Sequence, residues 1–89
     1  MIEVKFTGKA AKQAGKLPAK VREILMALVQ DIVQNGPTRG NWPNYSQLST
    51  GEHHCHIKKG RPTYVVKWVI VQKNLVHIVY AGTHEKAGY

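Results

Sequence analysis

Acidic residues are scarce in this sequence. Five Asp and Glu stand against thirteen Lys and Arg, a formal net charge of +8 with the five histidines neutral. Such an excess favours a polyanionic or acidic partner: RNA, DNA, an acidic protein or an anionic surface. Cysteine is nearly absent as well. A lone Cys55 excludes an internal disulfide framework and fits a reducing compartment. No apolar run approaches the roughly 20 residues that cross a bilayer. The opening Met1-Ile2-Glu3-Val4-Lys5-Phe6 lacks the apolar core of a secretion signal. The expected location is therefore cytoplasmic, with no membrane partner. Repeats, low-complexity runs and linkers are also missing, so the 89 residues read as one domain spanning 1–89. With 43% hydrophobic residues, the chain is not expected to be disordered.

What is present is patterned. Ile2, Val4 and Phe6 alternate with Glu3 and Lys5, the period of a strand with one buried face. Thr7 is a suitable cap for a short helix carrying Ala10, Ala11 and Ala14, stopped by Gly15. Pro18 is expected in the first turn of a second helix. There Val21, Ile24, Leu25, Leu28 and Ile32 recur at spacings of three and four and form one apolar stripe. Gly36-Pro37 ends that helix. Residues 37–51 are rich in Pro, Gly, Asn and Ser and read as a loop, pinned by Trp42, Tyr45 and Leu48. Three strands follow: His54 to Lys59, Tyr64 to Val71 and Leu75 to Ala81, with turns at Gly60-Arg61-Pro62 and Gln72-Lys73-Asn74. The order β-α-α-β-β-β predicts an α+β fold, a small antiparallel sheet with both helices on one face.

Strand parity then sorts the side chains. Cys55, Ile57, Tyr64, Val66, Trp68, Ile70, Val76, Ile78 and Tyr80 are expected against the helices. His54, His56, Lys58, Val65, Lys67 and His77 are expected on the open face, with Arg61 in the adjoining turn and His84, Lys86 and Tyr89 folding back from the tail. Cations, imidazoles and aromatic rings on one surface suit a phosphate backbone and a stacked base. A bulge would reverse this parity beyond it.

The run His56-Ile57-Lys58-Lys59-Gly60-Arg61-Pro62-Thr63-Tyr64-Val65-Val66-Lys67-Trp68 and the ending Gly82-Thr83-His84-Glu85-Lys86-Ala87-Gly88-Tyr89 resemble the RelE-like toxins of the RelE/ParE superfamily. The resemblance covers nearly the whole chain. It implies a RelE-like, microbial-ribonuclease-type fold and the toxin of a type II toxin–antitoxin system: an mRNA interferase that cuts mRNA in the ribosomal A site, next to rRNA, and is silenced by an acidic antitoxin. Lys58, with Lys59, matches the family's basic residue at the end of the second strand. Tyr64 matches its tyrosine opening the third. Val65 departs from the arginine often found next, a role open to Arg61 or Lys67. His84 and Tyr89 match the tail's basic residue and terminal tyrosine.

RNA cleavage by its own 2′-hydroxyl needs a base, an acid and charge stabilisation, and no cofactor. Histidine transfers protons near neutral pH, and Lys and Arg supply fixed positive charge. His84 is the expected general acid or base. Lys58, Arg61 and Lys67 are expected on the scissile phosphate and Tyr89 on a nucleotide. Lys59, His54, His56 and Lys86 are expected to bind RNA, His54 and His56 being second candidates for proton transfer. His53-His54-Cys55-His56 supplies only half of a zinc site, so no metal is expected. Lys9, Lys12, Lys16 and Lys20 read equally as ribosomal RNA contacts or a solvated face. Two rivals share the expected fold: a ParE-like gyrase inhibitor and a non-catalytic RNA- or antitoxin-binding relic.

Overall fold

Thr7 turns the chain from its first strand into its first helix. Its hydroxyl accepts a hydrogen bond from the Ala10 N–H at 3.1 Å, satisfying one of the amides a helix start leaves open. In the computed structural model, which describes residues 1–49 and 51–87, β1 (Glu3–Phe6) precedes this cap and α1 (Gly8–Gly15) follows it. The second helix, α2 (Ala19–Asn35), starts one residue after Pro18, which takes the cap position rather than a place in the first turn. Of the expected stripe, Val21, Leu25, Leu28 and Ile32 are buried and Ile24 is half-buried; Val29, outside that stripe, is buried as well. Gly36 closes it with φ 93° and donates its N–H to the Ile32 carbonyl, a conformation that favours glycine.

The segment read as a loop contains a further strand, β2 (Ser46–Ser49). After it come β3 (Glu52–Lys58), β4 (Tyr64–Gln72) and β5 (Leu75–Thr83), then a 3₁₀ turn at His84–Lys86. The sheet has five strands in the order β1-β5-β4-β3-β2. Each consecutive pair from β2 to β5 is antiparallel, whereas β1 runs parallel to β5. The sheet is therefore mixed: α1 and α2 carry the chain from β1 to β2 at the opposite edge, and the meander from β2 to β5 returns it beside β1.

One core joins helices and sheet. Ala10, Leu25, Leu28, Ile32, Cys55, Val66, Trp68 and Ile78 are fully buried in it. Two expected core positions differ. Ile70 is 42% exposed, out at the end of β4. Tyr80 lies opposite Lys67, because the β4–β5 register skips Val79 between the Lys67–Tyr80 and Trp68–Ile78 pairs. That irregularity turns Tyr80 to the open face, where its ring covers Gly82. Its hydroxyl donates to the Thr83 carbonyl at 2.7 Å.

A polar clamp fixes the segment before β2. The Asp31 carboxylate accepts from Trp42 Nε1 at 2.8 Å, Asn35 Nδ2 at 2.7 Å, Arg39 Nη1 at 3.1 Å and Asn41 Nδ2 at 3.3 Å. Trp42 and Tyr45 pack against the core, as expected of pins.

Candidate active site

His56 and His84 meet on the open face. Their ring centroids are 5.4 Å apart, edge to face. β3 places His56, whose backbone N–H donates to the Pro43 carbonyl at 2.8 Å. The His84 N–H donates to the Thr63 carbonyl at 2.8 Å, drawing the tail back beside the β3–β4 turn. Gly60 shapes that turn with φ 134°. The Thr63 hydroxyl donates to the Gly60 carbonyl at 2.9 Å. The result is a cavity of about 500 Å³ lined by His56, Arg61, Thr63, His84 and Glu85, among others. It holds two imidazoles, a guanidinium and one carboxylate.

Burial weakens the basicity of the two strand imidazoles, His56 and His54. Burial, then the charges of His84, His54 and Lys59, hold His56 below the usual histidine range, so near neutral pH it is an unprotonated acceptor. His54 continues the row, its ring 6.1 Å from that of His56. It is 6% exposed, and its Nδ1 lies 3.0 Å from the Ser46 hydroxyl on β2. Burial first, with nearby Lys67 and His84, also lowers its pKa.

The remaining expected site residues do not all converge here. The β3–β4 register skips Ile57, so Lys58 lies opposite Tyr64, whose ring packs on the core, rather than in line with His54 and His56. Lys58, Lys59 and Arg61 are exposed around the turn. Val65 lies in register between His56 and Gly82 and is fully buried, so it is not part of an exposed open face. Lys67 donates to the Ala87 carbonyl at 2.6 Å and sits 5.8 Å from the Tyr80 ring centroid. Together with Lys86 it lines a second cavity, on the far side of the tail. Tyr89 falls outside the described residues.

Two positions went unmarked in the sequence, Ser46 beside His54 and Glu85 in the cavity, and His53 was marked only within the histidine string. His53 is 2% exposed, shares a hydrogen bond with Tyr45 Oη through Nδ1, and lies parallel to the Trp68 ring. Its Nε2 is buried without a partner among the described residues. Only the alternation of β3 separates His53 from its neighbours, and a string of histidines hides it. Among the described residues no three His, Cys, Asp or Glu side chains converge as a metal site would need. Burial pushes the Cys55 thiol up to about 12, far from nucleophilic. No helix of the described residues is long and apolar enough to cross a membrane.

No family model and no curated relative matches the sequence. Solved structures do match. The isolated E. coli RelE toxin superposes with a TM-score of 0.67 at 18% identity, over 99% of this chain and 89% of that one. A metal-bound toxin from Helicobacter pylori gives 0.66 at 20% identity over 98% and 99%. A chain of the E. coli DinJ–YafQ complex gives 0.63 at 15% identity over 100% of both. The chain has the α+β fold of the RelE-type toxins.

Proposed function

We propose that this chain is the toxin of a type II toxin–antitoxin module, a ribonuclease that cuts mRNA on the ribosome. The His56–His84 pair beside Arg61 is the observation that carries the reading. A depressed pKa suits His56 to take the proton of the RNA 2′-hydroxyl. The 2′-oxygen then bonds to phosphorus, and the bond to the 5′-oxygen breaks. His84 gives its proton to that leaving oxygen. Arg61, with Lys59 on the adjoining turn, stabilises the extra negative charge of the phosphorane. His54 supports His56 in the row, and Tyr89 stacks on a nucleotide. The products are a 2′,3′-cyclic phosphate and a 5′-hydroxyl.

The fold of toxins crystallised with RelB or DinJ supports a proteinaceous antitoxin as the partner. A surface of net charge +8 calls for an acidic one. End-group chemistry tests the reading. RNA cut in a translation reaction containing this protein should carry cyclic phosphates and 5′-hydroxyls. Ends bearing 5′-phosphates would overturn the histidine mechanism. Uncut RNA together with blocked gyrase supercoiling would overturn the ribonuclease reading.

A further inference from the structure

The second cavity is larger than the first, about 700 Å³, within the range of small-ligand sites. It opens where β1 has ended and α1 leans over the outer edge of β5: β1 pairs only as far as Phe6 with Ile78, and Gln13 of α1 accepts the Ala81 N–H at 3.1 Å. Four lysines line it: Lys9 from α1, Lys16 from its C-cap, Lys67 from β4 and Lys86 from the tail. Tyr64 and Tyr80 add two aromatic rings, and among the described residues no carboxylate side chain lines it. The 3₁₀ turn at His84–Lys86 divides this cavity from the first, with His84 and Glu85 lining one and Lys86 the other.

We infer that this lysine-lined cavity between α1, the β5 edge and the tail is a second RNA subsite, holding a nucleotide that flanks the cut. The inference rests on the ribonuclease reading for the position of the cut. Four ammonium groups around one concavity leave a concentrated positive field, and a phosphodiester answers it while releasing counterions. The tyrosines favour RNA over an acidic peptide. A carboxylate side chain would engage the lysines alone, whereas a nucleotide brings an anion for them and a base to pack on the accessible part of the tyrosine wall, Tyr64 being half-buried on the core and Tyr80 lying beside Lys67. Lys67 is already held by the Ala87 carbonyl and Tyr80 by the Thr83 carbonyl, so these two walls are fixed before RNA arrives. The strand would pass over the tail from one cavity to the other, and His84 at the divide would meet its backbone.

Fluorescence polarisation with uncleavable 2′-O-methyl RNA tests this independently of cleavage. Lys9→Gln/Lys16→Gln is compared with Lys12→Gln/Lys20→Gln, which removes the same charge from exposed positions that do not line the cavity. The first variant should bind a pentanucleotide at least about tenfold more weakly in ~0.1 M salt, with a salt slope shallower by roughly 1.4. It should bind a dinucleotide as wild type does. The control variant should lose much less. Equal losses in both variants, or none in either, would overturn the subsite and leave the ribonuclease reading standing. A protein that ignores RNA but takes an Asp/Glu-rich peptide through Lys9 and Lys16 would overturn it in favour of protein docking. Lysine-dependent RNA binding without any cleavage would keep the cavity as an RNA site and remove the ribonuclease reading.

Discussion

Replacing Asp31 with alanine should unfasten the segment that holds the histidine row. Its carboxylate takes four side-chain hydrogen bonds, from Trp42, Asn35, Arg39 and Asn41. The Arg39–Asp31 ion pair is sheltered, with the two side chains 15% and 19% exposed. Hydrogen bonds to a charged group contribute about 1.5–3 kcal/mol each when measured singly, and a shared acceptor makes them far from additive. A net loss of about 2–3 kcal/mol is expected for Asp31→Ala. In a domain of this size that lowers Tm on the order of 10–20 °C. The assay is thermal unfolding followed by circular dichroism across pH. The hydrogen bond from Trp42, then those from Asn35, Asn41 and Arg39, hold the Asp31 carboxyl well below the usual carboxylate range. A depressed folded pKa means the stabilisation is complete above the unfolded value of ~3.9 and is lost as pH falls through the folded one. The gap between wild type and Asp31→Ala should thus be constant from neutral pH to about 5 and narrow below about 4. Cleavage should fall too, because Pro43 of this segment accepts the His56 N–H and Ser46 meets His54. Melting within ~3 °C of wild type at neutral pH would refute the clamp.

Burial lowers the pKa of His53, and burial is also the first cause at His54 and His56. The unfolded chain therefore binds more protons, and stability should decline as pH drops below ~6.5. His53→Phe removes one of these groups together with the unpartnered Nε2, so its Tm should change less between pH 7 and pH 5. A slope as steep as wild type would argue against a buried neutral His53. A Cβ at Gly82 would lie 2.8 Å from Tyr80 Oη and 3.1 Å from its Cζ. Gly82→Ala should displace that ring from the Thr83 carbonyl and cost about 1–3 kcal/mol in urea unfolding. An unchanged midpoint would contradict the close approach, and Tyr80→Leu in the same background should recover part of the loss.

Local pattern carried most of the architecture. The apolar spacing of α2, the Thr7 cap and the β-branched runs of β4 and β5 were legible because each is set by neighbours in sequence. What escaped depends on partners far away. Ser46–Ser49 is too polar to advertise a strand, and β2 exists because β3 offers it an edge. The parallel β1–β5 pair joins residues about seventy positions apart, which no local period reveals. Skipped residues at Ile57 and Val79 reversed the parity beyond them, moving Lys58 and Tyr80 from their expected faces. In the candidate site, His56, Arg61 and His84 come together. Lys67 and Lys86, expected beside them, form the wall of a different cavity once the tail folds between.

Proton transfer by His56 and His84 during cleavage of ribosome-bound mRNA is the step on which the proposed function turns. Its most direct test is single-turnover cutting of mRNA on programmed ribosomes, read by primer extension, for wild type, His56→Ala and His84→Ala. Each substitution should slow the cut by ~10²–10⁴-fold with thermal stability largely kept. Cutting at the wild-type rate by either folded variant would remove that histidine from the proton transfer.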